Sequence, residues 1–324
     1  MTFIPISNPI QEIDRKDILL LNDYPSITAL QSGNKMDNTQ GGVLEQALHM
    51  AGLIKADVAM ANLFPNRTKL DGLWYDKSKS FSPEAKNFVG AMHELITGYD
   101  FKVIVPLGAV STKAMLDRSD YTSIRGYPFP QGTRIIIPSV HPRDMVWTNY
   151  IWRFYLSHDL HKAKRFATGQ SKIDEPRLII ADTLPLVKAV LSNLAKQKMF
   201  SYDIEVSNYE ISCIGVCWDR GVGYSIPFDQ RWSDSEELEI WQMLAPILEN
   251  PNIGKLLQNA NFDIYFTYYK HHVLIRGVIE DTMIGHSIVY PDFLKGLEFL
   301  GSVYTDLTYW KDEADFKKPL KREA

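Results

Sequence analysis

The stretch MFSYDIEVSNYEISCIGVCWDRGVGYSIPF, residues 199–228, decides the fold of the C-terminal half of the chain. It contains three runs rich in β-branched and aromatic residues, a composition typical of β-strands. The Gly-rich segment DRGVG separates the second run from the third, and such a connection predicts an antiparallel hairpin. We therefore expect three strands in succession here.

The segments around these strands carry both strand and helix patterns. The strand RLIIAD and the helix TLPLVKAVLSNLAKQK precede them. A helix follows at residues 233–250, where Ser233 and Glu236 have the spacing of a capping box. The strand IGKLLQNANFD and the helical runs DIYFTYYKHH and LKGLEFLGSVYT complete the pattern. This order predicts a mixed α/β domain.

The N-terminal half alternates strand and helix patterns more regularly. Its apolar runs, DILLLND, ADVAMANLF, FKVIVPLG and RIIIPSVHP, are separated by helical segments, which predicts a parallel sheet flanked by helices. Polar residues end three of these runs: Asn22 and Asp23, Asn62, and the segment Ser-Val-His-Pro that contains His141. Because ligands bind at the carboxyl ends of strands in open α/β sheets, these residues predict a site.

Composition and charge narrow the classes of protein. Hydrophobic residues form 45% and charged residues 23% of the 324 residues, which is typical of folded globular proteins. The two cysteines, Cys213 and Cys217, lie in one apolar stretch, so this chain alone builds neither a disulfide framework nor a four-cysteine metal site. We find no export signal and no apolar window of ~18 residues, and we expect a cytoplasmic protein without a membrane span.

The polar stretch FATGQSKIDEP, residues 166–176, is typical of a linker, so we place the domains at residues 1–170 and 171–324. The formal net charge of -4 hides an asymmetry between the two sides of this linker. Residues 1–172 contain 20 Lys+Arg and 16 Asp+Glu, whereas residues 173–324 contain 15 and 23. An acidic domain can still act on DNA if its carboxylates hold metal ions, because each cation reverses the local field.

Paired carboxylates in the C-terminal half suggest such a metal site. Asp203 and Glu205 lie two apart on a predicted strand, so their side chains share one face. Asp263 ends the NANFD segment and is a third candidate ligand. Oxygen ligands of this kind suit Mg²⁺, and two such ions can catalyse phosphodiester hydrolysis. We expect Asp281, which opens DTMIGHS, to cap a helix rather than bind metal.

Residues 177–310 resemble the 3′–5′ proofreading exonuclease domain of family A DNA polymerases, particularly those of phages. DIE is similar to the first exonuclease motif and NANFD to the second, and the EDTMIGHS segment follows in the same order. The resemblance implies a ribonuclease H-like fold with Asp203, Glu205 and Asp263 as catalytic ligands of Mg²⁺ or Mn²⁺. It also implies that Asn259 and Phe262 lie near the DNA 3′ end.

In that family the third motif, Tyr-x-x-x-Asp, is expected after the YWKDE segment, and residues 304–324 do not contain it. The 324 residues also show no resemblance to the polymerase domain. Tyr304 is followed four residues later by Thr308, and Tyr309 by Glu313. Asp312 and Asp315, in the polar tail, are weak substitutes. We therefore expect a separate polymerase chain to complete the exonuclease, or the chain to be a truncated piece of such a polymerase.

The N-terminal residues 1–165 resemble, more weakly, the uracil-DNA glycosylase superfamily. LLLNDYPS, ANLFPNR and IIIPSVHPR are similar to its motifs. The resemblance implies a parallel α/β/α fold. It also implies a pocket lined by Asp23, Tyr24, Pro25, Asn62 and His141, with Asp23 as the water-activating acid, Asn62 as the uracil-reading amide and His141 as support for the uracil anion.

Three departures favour a glycosylase-like domain that has lost efficient cleavage. Aspartate stands at position 23 in place of glutamate, the segment MDNTQ lacks an aromatic residue, and the iron–sulfur cysteines are absent. Arg125, Arg134 and Arg143 are candidates to line a DNA groove, with scattered surface charges as the alternative.

Two helical segments are expected to be structural. We predict a solvated basic face for WRFYLSHDLHKAKRF, residues 152–166, with DNA-backbone contact as a second possibility. We predict core packing for the aromatic residues of IYFTYYKHH and a helix C-terminus for its two histidines.

The sequence thus favours the exonuclease part of a phage replication polymerase, acting on DNA 3′ ends in the infected host cell. The alternatives are a silent DNA-binding or assembly module and an active uracil-excising enzyme.

Overall fold

The computed structural model describes residues 16–25, 39–65, 80–147 and 150–311. These residues belong to two compact units. The first unit holds the chain up to Asp174 together with the residues from Glu298 onward, and the second unit is Glu175–Leu297. The second unit is therefore inserted into the first. The sequence placed the division after residue 170 and assigned everything beyond it to one domain.

The first unit is built on a five-stranded sheet with the order β2-β1-β3-β5-β4. Its strands are β1 (Ile18–Asn22), β2 (Val58–Asn62), β3 (Val103–Pro106), β4 (Phe129–Gln131) and β5 (Arg134–Ile136). All are parallel except β4, which pairs antiparallel with β5. The apolar run of β1 is buried throughout, as expected for a central parallel strand with both faces covered.

The helices of the first unit follow the predicted alternation. They are α1 (Thr39–Met50), α2 (Pro83–Thr97), α3 (Gly108–Leu116), α4 (Tyr121–Ile124), α5 (Pro142–Trp147), α6 (Trp152–Ala167) and, from the returning segment, α11 (Leu297–Tyr304). Ser82 caps α2 by accepting a hydrogen bond from the Ala85 N–H at 3.2 Å. The parallel strands end together, so the residues that follow β1, β2 and β5 share one edge of the sheet.

The second unit contains a six-stranded mixed sheet with the order β11-β10-β7-β8-β9-β6. Its strands are β6 (Arg177–Ile180), β7 (Met199–Ser207), β8 (Glu210–Asp219), β9 (Val222–Pro227), β10 (Gly254–Leu257) and β11 (Ile279–Asp281). The strands β7, β8 and β9 are antiparallel, which confirms the predicted hairpin. The outer strands run parallel to their neighbours.

The helices of the second unit are α7 (Leu184–Leu194), α8 (Asp234–Glu249), α9 (Ala260–His271) and α10 (Thr282–Val289). The predicted capping box at the start of α8 is present: the Ser233 side chain accepts from the Glu236 N–H and the Glu236 carboxylate accepts from the Ser233 N–H. The core is shared by α7, α8, residues of α9 and one face of the central strands. The opposite face of β7 carries Asp203 and Glu205.

The helix α6 corrects one expectation. It is a helix, as predicted, but Lys162 is only 3% exposed and does not lie on a solvated basic face. Its ammonium group donates to the carbonyl oxygens of Gly126, Ser302 and Thr305 at 2.7, 2.5 and 2.7 Å. Because all three ammonium protons have acceptors, the buried charge connects the segment after Glu298 to the first unit.

The structure has no helix, among the residues it describes, with the length and apolar character needed to cross a membrane.

Candidate active site

The strand β7 presents two carboxylates on one face of the second sheet. Tyr202 and Ile204 are buried in the core, whereas Asp203 and Glu205 face the opposite side and are exposed. The strand therefore folds with the predicted alternation, because apolar side chains two apart bury one face and leave the other to the acids. The partner of Asp203 across the ladder is Gly215.

The third acid is brought to this strand by α9. Asp263 is 2% exposed, and its Oδ1 accepts a hydrogen bond of 3.0 Å from the Ile204 N–H. This bond ties the first turn of α9 to the backbone between Asp203 and Glu205. The three acids predicted from the sequence are therefore neighbours in the structure.

Their pKa values show that the carboxylates interact. Burial raises the pKa of Asp263 to about 6, the Ile204 N–H opposes this change, and the charge of Asp203 adds to it. Desolvation and the charge of Glu205 raise the pKa of Asp203. A carboxylate whose pKa is raised by a neighbouring carboxylate gains from a cation beside it, because the cation offsets the repulsion.

The acids suit a divalent metal ion in their donor chemistry. Carboxylate oxygens are the ligands that Mg²⁺ and Mn²⁺ prefer. Within the described part of the chain, however, no three acidic, histidine or cysteine side chains converge closely enough to form a metal site by themselves. The three carboxylates are the right kind of ligand for such an ion. To bind it, they would need either further ligands or a closer approach to one another.

Asp281 caps helices, as predicted. Its carboxylate accepts hydrogen bonds from the backbone N–H groups of Asn259, Ala260, Met283 and Ile284. Although partial burial acts to raise it, these four donors hold the pKa of Asp281 below its usual range. Asp281 thus fixes the starts of both α9 and α10.

The residues expected near a DNA end lie at the start of α9. Asn259 precedes the helix with φ = 61°, in the left-handed region, and its side chain makes no capping bond. Phe262 is 47% exposed and its ring stacks on Phe266 at 5.9 Å between centroids. Both residues are accessible to a ligand approaching this end of the helix.

Three of the four aromatic residues of α9 that were predicted to pack in the core correct that expectation. Tyr265, Tyr268 and Tyr269 are more than half exposed, whereas Phe266 is half-buried and packs against the core as predicted. The buried side of α9 consists of smaller and more polar residues, Ala260, Asp263 and Thr267. His271 lies in the last turn, as expected, and stacks on Trp241 at 3.7 Å; burial lowers its pKa to about 4.

A second cluster of polar residues lies at the carboxyl edge of the first sheet. Asp23 is 1% exposed, and its Oδ1 accepts from the backbone N–H and the hydroxyl of Ser111 at 3.1 and 2.7 Å. The guanidinium of Arg143 lies 3.6 Å from the other Asp23 oxygen and donates to the Tyr24 hydroxyl at 2.6 Å. Burial raises the pKa of Asp23 to about 6 despite these partners.

Two amides and a histidine complete this cluster. The Asn22 side-chain amide donates to the Asn62 side-chain oxygen at 2.9 Å. Pro25, which follows Tyr24 in the sequence, is buried. His141 is 3% exposed, and its Nδ1 accepts from the Arg143 N–H at 2.9 Å. Burial and the Arg143 charge lower the pKa of His141 to about 3, so the ring is neutral. Because Nδ1 accepts a hydrogen bond, the single ring proton is on Nε2.

The other two arginines have different positions from those expected. Arg125, predicted to line a DNA groove, is 2% exposed and pairs with Asp159 at 2.5 Å. The rings of Tyr155 and Phe299 lie 5.0 and 5.1 Å from its guanidinium carbon, so Arg125 is a buried structural residue. Arg134 donates to backbone carbonyl oxygens at the end of α2. Of the three, Arg143 alone belongs to the polar edge.

The sequence analysis missed Ser111 and Asn22 as partners of the predicted residues. Asn22 was noted only as a strand end, although its position two residues before Tyr24 is a signal for a side-chain bond to the backbone. Ser111 lies in the helix α3, far from Asp23 in sequence, and no local pattern indicates their contact.

The comparison with known protein families concerns the second unit and the segment that follows it. Residues 178–318 match a family model described as 3′-5′ exonuclease. Together with the acids on β7 and α9, this match identifies a 3′-5′ exonuclease domain, which confirms that part of the prediction. The mixed sheet is consistent with the ribonuclease H-like fold expected for such a domain. No curated protein matches the chain.

Three solved structures illustrate the similarity. RNase D of Trypanosoma brucei, in complex with RNA U12, is 18% identical over 35% of this chain and 40% of that chain, with a TM-score of 0.29. The Nibbler EXO domain of Aedes aegypti is 19% identical over 47% and 80%, with a TM-score of 0.36. RNase D of Escherichia coli is 18% identical over 46% and 39%, with a TM-score of 0.34. This chain spans about two fifths of the length of both RNase D chains.

Proposed function

We propose that this chain is the proofreading portion of a phage family A DNA polymerase and that it removes mispaired nucleotides from DNA 3′ ends. The observation that carries the proposal is that the Ile204 N–H, between Asp203 and Glu205 on β7, holds the Asp263 carboxylate in a stretch that matches a 3′-5′ exonuclease model. DNA as the substrate and a phage replication complex as the setting are supported by the order of the sequence motifs.

The chain's own residues have distinct tasks in this reaction. Asp203 and Glu205 would hold Mg²⁺ or Mn²⁺ from the exposed face of β7, and Asp263 would join them from α9. When bound, such ions supply an activated water and stabilise the leaving oxygen. The Ile204 N–H positions the Asp263 carboxylate, and Asp281 fixes the start of the helix that carries it.

A metal titration tests this assignment. We expect calorimetry to show that Mn²⁺ binds the wild-type protein. It should bind Asp203→Ala at least about tenfold more weakly, because one carboxylate ligand and its negative charge are gone. Asp229→Ala removes an exposed carboxylate from the same unit and should bind Mn²⁺ like the wild type. Equal and negligible binding to the wild type and to Asp203→Ala would remove the basis for the exonuclease site.

The nucleic acid is tested separately. In Mn²⁺, with the missing motif supplied by a partner chain, a primer with a mismatched DNA 3′ end should be shortened faster than the same primer ending in ribonucleotides. Preference for the RNA end would place the activity with RNA processing instead of replication.

The polar edge of the first unit favours a second candidate function, a uracil-DNA glycosylase-like pocket that retains DNA contact without efficient cleavage. Asp23 is nearly inaccessible and faces Arg143, an arrangement that does not favour a water-activating base. The side-chain oxygen of Asn62 is already engaged by Asn22.

We expect no uracil release from single-stranded or duplex DNA, measured by cleavage of the resulting abasic strand, while the protein still binds DNA in a salt-dependent way. Strong release that disappears in His141→Ala would instead establish an active repair enzyme.

A further inference from the structure

Two buried hydroxyl groups join the strand β7 to the helix α9. Tyr202 on β7 is 1% exposed and Thr267 on α9 is fully buried, and their hydroxyl oxygens lie 3.0 Å apart, which is hydrogen-bond distance. Among the residues that the structure describes, neither hydroxyl has another hydrogen-bond partner. Because an unpaired hydroxyl in an apolar core is costly, each of these side chains favours the position in which it meets the other.

A second bond joins the same strand and helix beside the candidate metal site. The Ile204 N–H donates to the Asp263 carboxylate at 3.0 Å. The strand β10 pairs with β7 only as far as Ser201, so beyond that residue the N–H groups on this side of β7 need acceptors from another element. One hydrogen bond occupies one of about four lone-pair positions of a carboxylate, so Asp263 can still bind a cation.

The two bonds have matching spacings on the strand and on the helix. Tyr202 and Ile204 are two residues apart, which is about 6.6 Å along a strand. Asp263 and Thr267 are four residues apart, which is about 6 Å along one face of a helix. A shift of α9 by one residue would move both groups about 1.5 Å along the axis and turn them about 100° around it, so it would break both bonds. Together the two bonds fix the register of α9 against β7.

We propose that Tyr202 and Thr267 are positioning residues, whose hydroxyl bond holds the Asp263 carboxylate beside the two acids of β7. The Ile204 bond alone would let α9 turn about a single point, and the hydroxyl bond one helical turn further along prevents this. Ligands that are already in place bind a metal ion more tightly, because binding does not have to order them. This inference rests on the proposed exonuclease function, and it assigns the two hydroxyls no contact with substrate or metal.

Two substitutions that keep the shape of the side chain test this role. Tyr202→Phe and Thr267→Val each remove one hydroxyl, and we expect each to weaken Mn²⁺ binding about fivefold in calorimetry, the value of one hydrogen bond. The combined variant should bind Mn²⁺ about as weakly as either single variant, because each substitution already removes the bond. Thr267→Ser keeps the hydroxyl and should bind Mn²⁺ like the wild type.

Amide hydrogen exchange in EDTA, measured by NMR, follows the Asp263 carboxylate without any metal ion. The Ile204 N–H should be protected in the wild type. In Tyr202→Phe it should exchange about tenfold faster relative to the other amides of β7, because its bond to Asp263 opens more easily. Asp263→Ala removes the acceptor and therefore gives the upper limit of this change.

Tyr127→Phe is the matched control, because it removes a buried tyrosine hydroxyl bond from the first unit. It should lower the free energy of unfolding in urea but leave Mn²⁺ binding and Ile204 exchange unchanged. If Tyr202→Phe and Thr267→Val behave in this same way, the hydroxyl pair serves only the stability of the fold and the proposal is overturned.

Failure of the proposed function gives a different result. If the wild type binds no Mn²⁺ but Ile204 loses its protection in Tyr202→Phe, the hydroxyl pair still positions Asp263 and the proposed metal-dependent activity is wrong. If the wild type binds Mn²⁺ and both single variants bind it equally tightly, the metal site stands and the positioning role does not.

Discussion

Asp23, a single buried carboxylate at the end of β1, makes the stability of the first unit depend on pH. Its pKa is about 6 in the folded protein against an ordinary value of 3.8. Between those values the unfolded chain has lost the proton and the folded chain keeps it. The free energy of unfolding therefore decreases as pH rises from about 4 to about 6, and the lost stability does not return at higher pH.

Asp23→Asn removes this titration while keeping an oxygen that accepts from Ser111. We expect the free energy of unfolding of the variant, relative to the wild type, to increase by about 2–3 kcal/mol between pH 4 and pH 7. Urea unfolding at several pH values measures it. Asp17→Asn, which alters an exposed ion pair with Lys102, is the control and should show a much smaller change. A constant difference between Asp23→Asn and wild type across this range would contradict the raised pKa.

Some residue-level features of the site were predictable and others were not. The pairing of Asp203 with Glu205 follows from the period of two along a strand, and the structure places both on one face. The burial of Arg125 has no local signal, because its partners Asp159, Tyr155 and Phe299 are distant in sequence. A buried arginine whose partners are distant in sequence cannot be distinguished from a surface arginine by the residues next to it in the sequence.

At the scale of elements, hydrophobic patterns identified most strands and helices but not which face of each helix is covered. In α9, Tyr265, Tyr268 and Tyr269 were predicted to form core but are exposed, whereas the smaller Ala260 and Thr267 are buried. Tyr202 explains the preference, because its hydroxyl forms a 3.0 Å hydrogen bond with the hydroxyl of Thr267. That bond requires a partner from another element, which the helix sequence does not reveal.

The contact between α6 and the returning segment, which contains α11, depends strongly on one side chain. Lys162→Met keeps the length of the side chain but leaves three carbonyl oxygens without their donor. We expect a loss of about 3 kcal/mol in the free energy of unfolding, measured by urea denaturation. Lys164→Met on the same helix removes one exposed bond to Gly52 and should cost less than about 1 kcal/mol. Equal losses in the two variants would show that the buried ammonium has no special role.

At the scale of the whole molecule, the sequence predicted two α/β domains but not that one is inserted into the other. The run LKGLEFLGSVYT has the pattern of an ordinary amphipathic helix and follows the exonuclease motifs directly. In the structure, Tyr127 donates to the Glu298 carbonyl oxygen at 2.5 Å and packs edge-on against Tyr309 and Trp310. These contacts assign the returning segment to the first unit. The residues in contact are far apart in the sequence, so no local pattern predicts them.

The return of this segment to the first unit bears on how the exonuclease becomes complete. Neither Tyr304 nor Tyr309 has an aspartate four residues later, and both lie in the segment that packs with the first unit. In the mechanism that we propose, a tyrosine would align the attacking water and a further carboxylate would help to hold a metal ion, so Asp203, Glu205 and Asp263 by themselves should support only slow hydrolysis.

The partner in this test is a polymerase chain that begins with Tyr-x-x-x-Asp and is encoded beside this chain. We expect the isolated chain to shorten a 3′-mismatched primer at least about a hundredfold more slowly than the mixture of the two chains. The rate is measured in Mn²⁺ with a labelled primer on a gel. The same mixture made with Asp203→Ala should remain slow, because the partner supplies only the missing motif, and Asp229→Ala should behave like the wild type. Rapid 3′–5′ digestion by the isolated chain would show that its own residues already complete the site and that no partner is needed.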